Sequence, residues 1–222
     1  MSIHRRRRDR SAGESRVETV RARIVEAATQ IIGEGGPSAL TIERLAALLH
    51  RRPTSIRRLF RDLDEILDVV TLQALQELVE LLQDAVGGRD GRQALEALLE
   101  AQRLYARARP GMYEAALRRP SLVTAEVVRM EEAFVRVECA ALEACGASAR
   151  DAFRLAWCLR AAVQGAIDLE ARDGVTTPHE IDLNFDRIVS LLETASRPTL
   201  APSTRSSPTP AWRPVVYGAD RA

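Results

Sequence analysis

The sequence predicts an all-α protein in two parts: a compact N-terminal three-helix unit containing a helix-turn-helix, then a larger antiparallel helical domain. Three observations carry this expectation. Apolar residues make up 46% of the 222 residues and aromatics only 4%, so the core-forming content is mainly Ala, Leu and Val in long segments, which favours helix over sheet. Within those segments the apolar residues recur three and four positions apart, and Gly or Pro separates one segment from the next. Finally, residues 1–61 hold 14 Arg against 6 acidic residues, whereas the remainder holds 18 Arg against 25 acidic residues. A basic first part beside an acidic second part points to an anionic partner for the first.

Residues 1–16 are polar and charged without periodicity and are expected to form a basic arm lacking regular structure. The first helix follows from Val20, Ile24, Ala27, Ala28, Ile31 and Ile32 on one face, and Gly35-Gly36-Pro37 stops it. Thr41 is suited to cap a second helix whose buried side is Ile42, Leu45, Ala46 and Leu49. After a break at His50-Arg51-Arg52, Pro53 fits the first turn of a third short helix with Ile56, Leu59 and Phe60 inward. Longer helices are then expected over 64–86, 93–107, 112–118, 123–144, 149–172 and 178–194, nine in all. The tail, 197–222, is rich in Pro, Ser and Thr and is expected to remain unpacked. The predicted division is thus 1–16, 17–63, 64–196 and 197–222.

The segment TIERLAALLHRRPTSIRRLF has the layout of a helix-turn-helix, with its second helix rich in side chains that reach bases and phosphates. Thr54 and Ser55 donate or accept at base edges or phosphates; Arg57 and Arg58 pair with phosphate or guanine; Arg51 and Arg52 flank the helix start. With Thr41 and Arg61 these form the candidate DNA-contacting set. His4-Arg5-Arg6-Arg7-Arg8 is either a solvated tail or an arm that follows the adjacent minor groove. An enzyme is not expected: the three His are scattered, and no phosphate loop, dinucleotide fingerprint, HExxH or CxxC occurs. No metal or other cofactor is expected. Cys139, Cys145 and Cys158 lack metal-ligand spacing and read as reduced thiols of a cytoplasmic protein, and no apolar run approaches a membrane span.

Residues 21–67 resemble the DNA-binding domain of the tetracycline-repressor (TetR) family. RARIVEAATQIIGEGG stands as its first helix, ALTIERLA as the start of the second, PTSIRRLF as the recognition helix and DLDEIL as the entry to the fourth. The chain departs from the family pattern in four places. The family has Gly-Val where this chain has His50-Arg51, Ser where it has Arg52, Tyr where it has Arg57 and Lys where it has Leu63. The Tyr and Lys of the pattern hold phosphates, a task Arg57, Arg58 and Arg61 can take over electrostatically. Arg51 stands where a buried residue is usual and is expected to lay its stem along the core. The resemblance implies a transcriptional regulator, a repressor released from double-stranded operator DNA by a small-molecule effector. The departures leave open a helical interaction protein, or a nonspecific DNA binder, of the same fold.

Residues 64–196 resemble the family's regulatory and dimerisation domain more loosely. AWCLRAAVQGAIDLEARDG and LNFDRIVSLL look like its last two helices in the Trp-His-Gly type, here with Trp157, Gln164-Gly165 and Leu169-Glu170. The resemblance implies a homodimer through these helices, and the stripe Leu155, Leu159, Ala162, Ala166 with Phe185, Ile188 and Leu192 is the expected interface. It also implies a ligand site, for which Tyr105, Met112, Phe134, Trp157, Arg160 and Gln164 are candidates. Arg160, Gln164 and Asp168 form one polar line, either a solvated or interfacial strip or a means of orienting a ligand's polar group.

Overall fold

The computed structural model describes residues 3–172 and 177–197, with side chains from residue 16 onward. Among the described residues the chain forms nine α-helices, one 3-10 turn and no strand. They are α1 (Ile3–Gly35), α2 (Ile42–Leu48), α3 (Pro53–Arg57), α4 (Leu63–Val86), α5 (Arg92–Ala108), α6 (Pro110–Leu117), α7 (Ala125–Ala144), α8 (Ala149–Ala171) and α9 (Pro178–Ser196). The helices fall where the apolar periodicity and the Gly and Pro stops put them. One difference lies at the start. α1 runs back to Ile3, through the Arg-rich segment expected to lack regular structure, because Arg, Glu and Ala are good helix formers and no Pro intervenes. Beyond Arg197, the tail lies outside the described residues.

Local chemistry sets the helix starts. Thr41, Asp62, Thr124, Ser148 and Thr177 each accept a hydrogen bond from the backbone N–H three residues on, meeting one donor the helix itself cannot satisfy. α7 ends at Gly146, whose φ of 100° lets Ala147 N–H return to the Leu142 carbonyl at 3.2 Å. Pro110, expected only to stop α5, opens α6 instead, at a position where its missing N–H costs nothing.

α4 is the axis of the molecule, touching α1, α5, α6 and α7. Ile66, Val70, Ala74, Leu78 and Leu82 follow one another at four-residue steps and are all fully buried, and each large aliphatic among them contributes about 2 kcal/mol of burial. The apolar side of α1 joins the same continuous core as α2, α3 and the longer helices. At the start of α6 the backbones of the two parts meet directly. A Cβ on Gly111 would lie 1.9 Å from the Ile32 carbonyl oxygen, so only glycine fits that approach. All three cysteines are free.

Candidate nucleic-acid interface and ligand cleft

The turn between α2 and α3 is a complete Schellman ending. His50 N–H donates to the Ala47 carbonyl at 3.1 Å, Arg51 N–H reaches the Ala46 carbonyl at 2.9 Å, and His50 sits at φ 51°. This left-handed position is where glycine carries least strain, which explains the residue the resemblance leads one to expect there. Arg51 follows as an exposed residue, its N–H spent on closing the turn. α3 then starts at Pro53 and turns Ile56 fully inward, with Phe60 3% exposed just beyond it.

That anchoring leaves Arg52, Thr54, Arg57 and Arg58 exposed and Ser55 half-buried on the outer side, with Thr41 and Arg51 exposed nearby. Among the described residues no hydrogen bond or ion pair holds the side chains of Arg51, Arg52 or Arg58. Two of the candidates are engaged: Arg57 lies 3.7 Å from Glu43 and Arg61 is 2.8 Å from Asp62. Both pairs are exposed and weak enough to exchange for a phosphate.

A residue without any sequence signal secures the arrangement. Arg21 of α1 stacks over Phe60 at 4.0 Å, donates to the Leu59 carbonyl and pairs with Glu65 at 2.8 Å. It thereby ties α1 to the end of α3 and the start of α4. Nothing in the pattern distinguishes it from Arg23. Hydrogen bonds from Arg21, then from the Arg61 N–H, hold the Glu65 carboxyl below its ordinary range.

In the second part a cleft of about 1090 Å³ opens between α4, the α6–α7 connection, α7 and α8. Of the six residues expected to bind a ligand, Phe134, Trp157, Arg160 and Gln164 line it. Tyr105 and Met112 do not. They are 8% and 1% exposed and pack in the core, where the Tyr105 hydroxyl donates to Glu77 at 3.1 Å. Periodicity showed that both face inward but not toward which interior.

Arg160 is the most constrained group of the cleft. It makes a two-pronged bond to Glu138, at 3.1 and 2.5 Å, and lies 4.3 Å over the Phe134 ring and 5.8 Å from that of Trp157. Glu138 is fully buried, and desolvation pushes its carboxyl up against the opposing pull of Arg160. Asp168, the third member of the predicted polar line, is exposed and joins Arg172 instead. One wall is fixed to α4 through Asp68, which accepts hydrogen bonds from Arg118 at 2.8 Å, from the N–H groups of Ser121 and Leu122 at 2.9 Å each, and from the Ser121 hydroxyl.

The structure places the expected dimer stripe within the protomer. Leu159, Phe185 and Leu192 are buried inside the protomer, and Leu155, Ala162, Ala166 and Ile188 are half-buried. The stripe is the seam by which α8 and α9 pack within the chain. Exposed instead are Trp157, Ala161, Gly165 and Leu169 on α8 and Leu183, Arg187, Leu191 and Ala195 on α9, each row at four-residue steps. Apart from Arg187, both faces of these helices are apolar or small, so the sequence offered two stripes and periodicity could not choose between them. Glu170, half of the recurring Leu-Glu pair, meets Arg103 of α5 at 2.9 Å, and Arg103 also reaches Asp182 of α9 at 2.8 Å.

Residues 95–192 match the family model described as tetracyclin repressor-like, C-terminal domain. An uncharacterized HTH-type transcriptional regulator, YobS of Bacillus subtilis (strain 168), is 28% identical over 118 residues, which span 51% of this chain and 62% of that protein. Solved structures share the fold. PfmR, a TetR family transcriptional regulator from Thermus thermophilus, is 21% identical with a TM-score of 0.57, the match covering 75% of this chain and 97% of that one. A bacterial regulatory protein in the tetR family from Rhodococcus RHA1 is 20% identical with a TM-score of 0.57, covering 80% and 96%. TetR of Acinetobacter baumannii AYE, in a Q116A variant complexed with minocycline, is 21% identical with a TM-score of 0.54, covering 77% and 92%. The family model thus places a tetracyclin repressor-like C-terminal domain over residues 95–192, the curated relative is matched over less than two thirds of its length, and the described chain shares the fold of solved TetR family regulators.

Proposed function

We propose that the chain is a one-component transcriptional regulator, a repressor that binds double-stranded operator DNA as a homodimer and leaves it when a small molecule occupies the cleft. The observation that carries this reading is the recognition helix: Ile56 is fully buried while Arg52, Thr54, Arg57 and Arg58 stand exposed around a closed Schellman turn. Buried groups fix the helix, and exposed ones match the base-edge and phosphate chemistry of the major groove. In this reading residues 17–63 bind DNA and 64–196 bind ligand and partner. Residues 1–16 add positive charge that raises affinity and its salt dependence. The exposed rows on α8 and α9, including Trp157 at 62% and Leu191 at 70%, support a second copy docking there. Among the described residues no helix is long and apolar enough to cross a membrane.

Selection of the purified protein on random duplex DNA tests the proposal. A near-palindromic site preferred by about a thousandfold over a scrambled duplex, and weakened by Arg58→Ala, supports it. The unpartnered Arg51, Arg52 and Arg58 also suit sequence-independent attraction to phosphate. Equal binding to both duplexes would establish that second reading.

A further inference from the structure

Resting on the cleft as the effector site, the charge pattern of its walls goes further. We infer that the cleft selects an uncharged, largely apolar ligand carrying one hydrogen-bonding group that meets Thr71. The walls are mainly aliphatic and aromatic, with Leu72 and Leu75 from α4, Val127, Phe134 and Val135 from α7, and Trp157 from α8.

Arginine on these walls does not serve as an anion receptor. Of the arginines in the walls, Arg118 is taken by Asp68 and Asp64 and Arg160 by Glu138; Arg136, exposed at the rim and paired with Glu132 at 3.7 Å, offers an anion only water-screened attraction. A ligand carboxylate or phosphate would have to displace Asp68, which also closes the α6–α7 connection, or Glu138, which would then be left buried without its cation. Glu131 and Glu143, exposed on the lining, add repulsion for an anion. For a cation they offer only water-screened attraction, while the deep carboxylates are already committed.

The polar handle rests on a separate observation. Thr71 is 3% exposed, lines the cleft, and its hydroxyl has no hydrogen-bond partner among the described residues. A buried hydroxyl left unmet is uncommon in a folded chain; its oxygen is closed off from solvent here, so a ligand hydroxyl or carbonyl would reach it on rotation of the Thr71 side chain toward the cleft. The volume of about 1090 Å³ suits a drug-sized molecule.

Three probes with the same apolar body separate the cases: 1-decanol, decanoate and decyltrimethylammonium, each below its aggregation threshold. Binding is read from Trp157 fluorescence in a Trp212→Phe background, which leaves Trp157 as the sole tryptophan. Decanol is expected to bind saturably and at least about tenfold tighter than either charged probe, and Thr71→Val to weaken it about fivefold. Glu138→Gln, checked for folding by thermal melt, frees the Arg160 charge and is expected to shift the preference toward decanoate. Equal or tighter binding of a charged probe by the wild type, or no saturable response to any of the three, overturns the inference. DNA selection on the same protein keeps the outcomes apart: decanol binding without operator preference overturns the regulator reading, and operator preference without decanol binding overturns this one.

Discussion

In the basic N-terminal part, Arg51, Arg52 and Arg58 project into solvent with no carboxylate among the described residues beside them, whereas Arg103, Arg118 and Arg160 of the helical body are each held between helices by one or more acids. The same residue type serves two ends. Charge left unpaired and hydrated is available to a partner at little cost to the fold. Charge removed from water has to be matched within the chain, and it then fixes one helix against another. The division between basic and acidic parts that is visible in composition thus becomes a division between binding and architecture.

Substitutions on the two sides should differ most at Arg160. Arg160→Ala leaves Glu138 buried without its cation, a loss of about 3 to 5 kcal/mol and a fall in Tm on the order of 10 °C. Its pH dependence identifies the cause. Burial already raises Glu138 above its ordinary value, so the folded chain holds that proton more tightly than the unfolded chain does, and removing Arg160 widens the difference. Stability of the variant should therefore be recovered as the pH falls through the folded pKa of Glu138 and lost as it rises through it. Melts of variant and wild type from neutral pH down to about pH 5 should converge. Parallel curves would assign the loss to packing alone.

Gly111→Ala tests the joint between the two parts. Because the added methyl meets the Ile32 backbone rather than a side chain that can yield, destabilisation of about 2 kcal/mol or more is expected from denaturant melts. A neutral result would mean that α6 can withdraw from α1 at no cost. At His50 the sign reverses. Replacing it by Gly relieves the left-handed strain and should raise stability by about 1 kcal/mol, as measured by the shift in melting midpoint.

The smallest effect on stability, within about 0.5 kcal/mol, is expected for Arg58→Ala. The same change should weaken binding to a selected operator about tenfold or more and lower the salt slope by about 1. A stability loss comparable to that at Arg160 would erase the distinction between free and structural arginine.

Most of the helical layout was legible because it depends on neighbours in sequence. The cap residue Thr41 acts three positions away, Gly146 acts on the turn before it, and four-residue apolar spacing marks a buried side whatever it is buried against. The exposed face of the recognition helix was readable for the same reason, since fixing Ile56 and Phe60 inward leaves Thr54, Arg57 and Arg58 outward. The clamp made by Arg21 was not, because its partners lie about 40 residues along the chain and any arginine could have met them. Tyr105 and Met112 are large inward groups, as their spacing indicates, and pack in the core away from the cleft.

By itself, then, the sequence determined the all-helical class, most of the helix ends, the short helices α2 and α3 with the turn between them, and the basic character of the first part, all consequences of composition, local hydrogen bonding and periodicity. Tertiary structure alone decided which arginines are bound by acids, where the cleft opens, and which stripe of α8 and α9 faces outward. These depend on the packing of helices remote in sequence. Leu159 and Leu169 carry the same side chain on two apolar sides of α8, and only the approach of other helices makes one side core and the other surface.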